Sequence, residues 1–234
     1  NSFATGDVWS SSANTAGGLI GFNNAAGVNS SNVITNSYAT GNVTGPQTYG
    51  ANYYFGGLIG SNTVGQSGAN ASVIGSYATG SVTAAASWVG GLVGFNQINA
   101  ANGIANISNS YATGAVSNPS ASSGNAPAGI GGLVGLNRSS AANSSLTITS
   151  SYATGAVTGV TLAGTNSAGG LIGWNYANAS GVNNSVTNSY ATGVVSGLTN
   201  VGGLIGQNSA ANGGNTNIEN SYASGNVSGS SGVL

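Results

Sequence analysis

A chain of 234 residues has room for one elongated domain or two compact ones, and this one carries only three charged side chains, Asp7, Arg138 and Glu219, with no Lys, His, Cys or Met. A single Arg cannot neutralise a run of phosphates or an anionic lipid surface, so nucleic-acid binding and a polybasic membrane patch are excluded. Without His or Cys there is no common zinc, copper or iron–sulfur site, two acids at opposite ends of the chain build no calcium loop, and no apolar run approaches the ~18 residues of a membrane span. No cofactor and no metal is therefore expected, and no membrane insertion. With 40% apolar residues and almost no net charge, the composition is also the opposite of a disordered chain. Opening on Asn1 rather than Met, the chain reads as a processed product or a fragment.

Two motifs alternate from the first residue to the last. The first begins at once as Asn1-Ser2-Phe3-Ala4-Thr5-Gly6-Asp7-Val8 and returns around Tyr38, Tyr77, Tyr111, Tyr152, Tyr190 and Tyr222. The second begins as Gly17-Gly18-Leu19-Ile20-Gly21-Phe22-Asn23 and returns around Leu58, Leu92, Leu133, Leu171 and Leu204. Because the alternation is unbroken, residues 1–234 read as one continuous repeat array with no linker. From each Leu to the next Tyr the step is 19, 19, 19, 19, 19 and 18 residues, whereas from each aromatic to the next Leu it is 16, 20, 15, 22, 19 and 14. One half of the repeat is thus held to length, as a coil that must return over itself requires. The other half tolerates insertions and must contain a surface loop, where Pro46, Pro119 and Pro127 all fall.

Gly every few residues disfavours helix by about 1 kcal/mol each, and no segment shows apolar residues at helical spacing. The motifs are short, β-branched or aromatic, and bounded by Gly and Asn, so they predict strands of about four to six residues with tight turns. Weaker strands are expected at Val33-Ile34-Thr35 and Leu146-Thr147-Ile148. The predicted fold is all-β, a right-handed parallel β-helix of about six repeats of ~36 residues. Two rungs of about 18 residues per repeat are the favoured reading and give a rod of about 60 Å at ~4.8 Å per rung. One large rung per repeat, giving half that height, stays open.

Within the first motif the position before Val varies freely (Asp7, Asn42, Ser81, Ala115, Ala156, Val194, Asn226), which marks it as outward; the constant Val, and by alternation the Ala of Tyr-Ala, point inward. In the second motif alternation places Leu, the following Gly and Asn on one face. Leu19, Leu58, Leu92, Leu133, Leu171 and Leu204 then form a core column. Asn23, Asn62, Asn96, Asn137, Asn175 and Asn208 form a candidate amide ladder, at home in the left-handed backbone of a turn. Phe3, Tyr38, Tyr77, Tyr111, Tyr152, Tyr190 and Tyr222 form an aromatic column, either a structural stack or a sugar-binding stripe. The variable column of Phe22, Ser61, Phe95, Leu136, Trp174 and Gln207 is either an exposed apolar stripe or buried beneath the loops.

The six Gly-Leu-(Ile/Val)-Gly cores, each followed by Asn-Ser-Tyr-Ala-Thr-Gly or a close variant, resemble the GLUG motif, and the resemblance spans essentially the whole chain. GLUG repeats occur in large bacterial surface and secreted proteins, including filamentous-haemagglutinin-like adhesins. The resemblance implies a secreted or cell-surface β-helical stalk and carries no catalytic residue with it. Enzyme chemistry lacks its parts here: Ser and Thr have no base to activate them, and the two carboxylates sit at opposite ends. The expected function is that of a structural extracellular repeat protein, a self-associating fibre subunit or adhesin stalk. Its expected partner is itself, head-to-tail or laterally, since near-zero net charge removes mutual repulsion and open rungs are unpaired β-edges. The motif copy that would begin at Gly232-Val233-Leu234 is cut short, which favours such stacking. The alternative is a surface-binding module recognising a glycan or a host surface. Ice binding is weaker still, with only one dependable Thr per repeat.

Overall fold

In a computed structural model, residues 1–12, 14–48, 50–119, 128–159 and 166–229 are described, and no helix occurs among them. The expected parallel β-solenoid is what forms. Starting from Tyr38, one circuit runs through strands Tyr38–Ala39, Val43–Thr44, Gly50–Gly56, Ile59–Val64 and Asn70–Ile74, and then Tyr77 lies on Tyr38. Like strands of successive circuits stack into five sheets, here numbered 1 to 5 in that order. Sheets 1 and 2 hold seven strands each, and sheets 3, 4 and 5 hold six. Every pairing is parallel and joins one repeat to the next, as in Ile59↔Val93 and Tyr77↔Tyr111.

This corrects the expectation of two rungs per repeat: each repeat makes one large rung. The physical reason lies in the ladders. Asn62 Nδ2 donates to Asn96 Oδ1 at 2.8 Å. With two rungs per repeat these residues would stand about 9.6 Å apart along the axis, twice the strand spacing, and could not touch. The described stack is accordingly about 30 Å tall rather than about 60 Å. Length variation collects between sheets 2 and 3, from Thr44 to Gly50 in one repeat and from Thr83 to Ala86 in the next. Pro46 and Pro119 lie in these connections, while Pro127 and Gly232-Val233-Leu234 fall outside the described residues.

The cross-section is slim because small and branched side chains share it. Leu58, Leu92, Leu133 and Leu171 are fully buried with Ile59, Val73 and the Ala column of sheet 1, between sheets 1, 4 and 5. Val43, Val82, Val116 and Val157 meet Phe55, Val89 and Ala168 between sheets 2 and 3. Sheets 3 and 4 press together backbone to backbone. A Cβ on Gly94 would sit 2.6 Å from Gly60 O and 2.7 Å from Phe55 N, so from Gly60 onward nothing larger than Gly fits the fourth position of Gly-Leu-(Ile/Val)-Gly, while Gly21 in the first rung is open. That contact also overturns the expectation that Leu, Gly and Asn share one face. Gly60 faces sheet 3, towards Ala16, whereas Asn62 points the other way, to Ala71 O of sheet 5.

Candidate functional site

Three ladders run the height of the stack. In the Asn column every amide donates to the next: Asn23 to Asn62 at 2.7 Å, Asn96 to Asn137 and Asn137 to Asn175 at 2.9 Å, Asn175 to Asn208 at 2.8 Å. The second N–H of Asn62 goes to Ala71 O at 2.7 Å and that of Asn96 to Ala105 O at 3.3 Å. Asn62, Asn96, Asn137 and Asn175 are completely buried and lie inside strands of sheet 4, not in turns. A buried primary amide is tolerable only if its donors and acceptor are used, and stacking identical amides at strand spacing uses them.

A second ladder, of serines, was not singled out from the sequence. Ser37 N donates to Ser76 Oγ at 3.1 Å, Ser76 N to Ser110 Oγ at 3.1 Å and Ser110 N to Ser151 Oγ at 3.2 Å, continuing to Ser189 and Ser221. Each hydroxyl then donates back to the carbonyl two residues earlier, as Ser76 to Ile74 O at 2.9 Å. The residue before each Ser from Ser37 to Ser221 is left-handed: Asn36, Asn109, Asn188 and Asn220 have φ between 47° and 50°, Ser150 has φ 48° and Gly75 has φ 58°. These, rather than the amide ladder, are the asparagines that use αL tolerance. The available signal was a Ser before the aromatic in all seven copies of the first motif.

The third ladder is the aromatic column on sheet 1. Phe3, Tyr38, Tyr77, Tyr111, Tyr152, Tyr190 and Tyr222 stack face to face, with centroids 4.8–5.2 Å apart and planes within 2–9°. The five inner tyrosines are half-buried. Each inner ring has both faces covered by its neighbours, so a sugar has no ring face to lie on; only Phe3 and Tyr222, at the ends, offer one. Partial burial, followed by the neighbouring phenols, raises the pKa of Tyr111 and Tyr190 above the ordinary value.

The variable column of sheet 4 is buried in part, beneath sheet 3 rather than beneath loops. Phe95 and Leu136 pack with Trp88, flanked by Tyr54 and Trp174, while Phe22 in the first rung is exposed. Asp7 and Glu219 serve as local acceptors: Asp7 Oδ1 takes the Asn42 N–H at 2.7 Å and Glu219 Oε1 takes Asn217 Nδ2 at 2.9 Å.

The family model of the GLUG motif matches residues 86–117 and 197–228. The chain carries the GLUG motif. The first match starts at Ala86 of a sheet 3 strand and the second at Gly197, the last residue of a sheet 2 strand; both run through Gly-Gly-Leu to the next Val-Ser of sheet 2, which is one full rung. A GLUG unit in this chain is therefore one circuit of the solenoid, with the Gly pinch, the amide, the Ser corner and the stacked ring each appearing once. Neither a curated protein nor a solved structure matches the chain.

Proposed function

We propose that this GLUG-repeat chain is a structural rod that works outside the cell, as a fibre subunit or an adhesin stalk, and that it lengthens by adding rungs at its ends. The observation that carries the proposal is the contrast between inner and terminal rungs. Leu58, Leu92, Leu133 and Leu171 are fully buried, whereas Leu19 and Leu204 in the same column are only partly so. The outer strands of all five sheets also have one unpaired side among the described residues. A stacked rung from a second copy, or from more of the same polypeptide, would continue the Asn, Ser and ring ladders in register and cover that apolar surface. The near absence of charge leaves nothing to oppose such approach. No part of this role calls for catalysis.

Electron microscopy with light scattering tests the proposal. Rods should lengthen with protein concentration, and Ile20→Lys, which puts a charge on the first rung, should keep them short. A chain that stays monomeric at millimolar concentration overturns end-to-end growth.

A further inference from the structure

The only cation of the chain stands in a setting that the rod does not need. Arg138 lies on sheet 4 between Gln97 of the preceding rung and Tyr176 of the following one. Its side chain is half-buried, and its Nε is shut off from solvent with no hydrogen-bond partner among the described residues. No carboxylate is near: along the stack Asp7 is three rungs earlier and Glu219 two rungs later. A partly desolvated guanidinium without a counter-charge is unfavourable, and a bound anion would relieve it.

Its register partner on the following rung is aromatic. Tyr176 stacks with Trp174 at 5.1 Å and 20°, and both are half-buried, with part of each still open to solvent. The indole is held in place by its own Nε1–H, which donates to Ser209 Oγ at 2.8 Å. Tyr54 packs on Phe95 at 4.6 Å, and burial raises its pKa while the charge of Arg138 lowers it by less. Trp, Tyr and Arg together are the residue types that dominate binding hot spots, because they combine rigid apolar area with directed polar groups.

We propose that Arg138, Trp174 and Tyr176, with Gln97 beside them, form a binding site for an acidic sugar, a pyranose bearing one carboxylate, within a uronic-acid polysaccharide. The guanidinium takes the carboxylate, the face of Tyr176 turned away from Trp174 takes the C–H flank of the sugar, and Gln97 offers neutral hydrogen bonds to its hydroxyls. One cation suits one carboxylate per sugar contact. Nucleic acid, sulfated polyanions and anionic bilayers draw on several cations at once, which this chain lacks. The site goes beyond the rod reading and does not depend on end-to-end growth.

The test is titration of the full chain with trigalacturonate and with galactotriose, followed by tryptophan fluorescence and calorimetry. Trigalacturonate should bind at least tenfold tighter than the neutral trisaccharide. Arg138→Gln, which installs the residue that the preceding rung already carries at this position, should abolish that preference while leaving thermal unfolding unchanged. Trp174→Leu should weaken binding of both sugars. Equal binding of the two sugars, absence of trigalacturonate binding, retention of the preference by Arg138→Gln, or equally tight binding of a poly-glutamate peptide would each overturn the site.

Discussion

Asn96 shows how one side chain can serve three rungs. Its Oδ1 accepts from Asn62, and its Nδ2 donates to Asn137 and to Ala105 O, all in full burial. Asn96→Ala removes these bonds, leaves Asn137 Oδ1 without its donor and opens a small void. It should lower stability by about 2–4 kcal/mol in urea unfolding, since a buried unsatisfied group alone costs about 1–3 kcal/mol. Asn184 is the converse case. It is fully buried, and neither amide atom finds a partner among the described residues, while Leu146 fills the equivalent place one rung earlier. Asn184→Leu should therefore raise the melting temperature, with a gain of about 1–2 kcal/mol from the removed desolvation penalty. A lower melting temperature would mean that the amide is satisfied in solution.

The strands of sheets 1 and 2 are mostly two residues long, too short to persist alone, and they are held by stacking. In sheet 1 the rings supply it: six consecutive contacts at 4.8–5.2 Å tie seven rungs together along one line. Those rings also predict an alkaline limit. For Tyr111 and Tyr190 the folded pKa lies above the unfolded value of 10.0. The unfolded chain thus releases these protons first as pH rises. Their contribution is fully present below pH 10 and declines above it, through the raised folded values. Melting temperature should be flat from neutral pH to about 9 and fall beyond 10. Following ring ionisation by absorbance alongside circular dichroism checks it, and a melting temperature unchanged above pH 10 would contradict the account.

Over the whole molecule, strand pairing joins each rung only to its neighbours, so stability is close to a sum of repeated interfaces and the ends are the weakest places. The single trypsin site tests how tightly the middle is held. Arg138 lies in strand Val134–Ser139, which is paired on both sides, with Val93–Ile98 and with Ile172–Ala177. A protease needs that strand pulled out of two ladders at once, an opening close to global unfolding. The native chain should stay intact under trypsin, and heating past the melting point should release two pieces, 1–138 and 139–234. Cleavage at Arg138 in native buffer would show that the middle rungs open on their own.

Repetition alone determined that the chain is a parallel stack, which residues share a column, and which positions face in. Val43 reads as inward because the position before it varies and it does not, Ala39 follows by alternation, and both are buried. A period in sequence becomes a period in space whenever like strands pair. What repetition does not encode is how the path closes within one period. Whether Tyr38 lies over Tyr77 directly or with a Leu motif between them depends on where the corners fall. Those corners come from left-handed Asn and Gly residues and from a Ser whose hydroxyl bonds across rungs. The Gly60 pinch was equally invisible, since only two sheets brought into backbone contact make a missing side chain a requirement. The neighbourhood of Arg138 draws Gln97 from the repeat before it and Trp174 and Tyr176 from the repeat after it, and no spacing in the chain announces it. Tertiary structure decided these features because each depends on the distance between segments a full repeat or more apart.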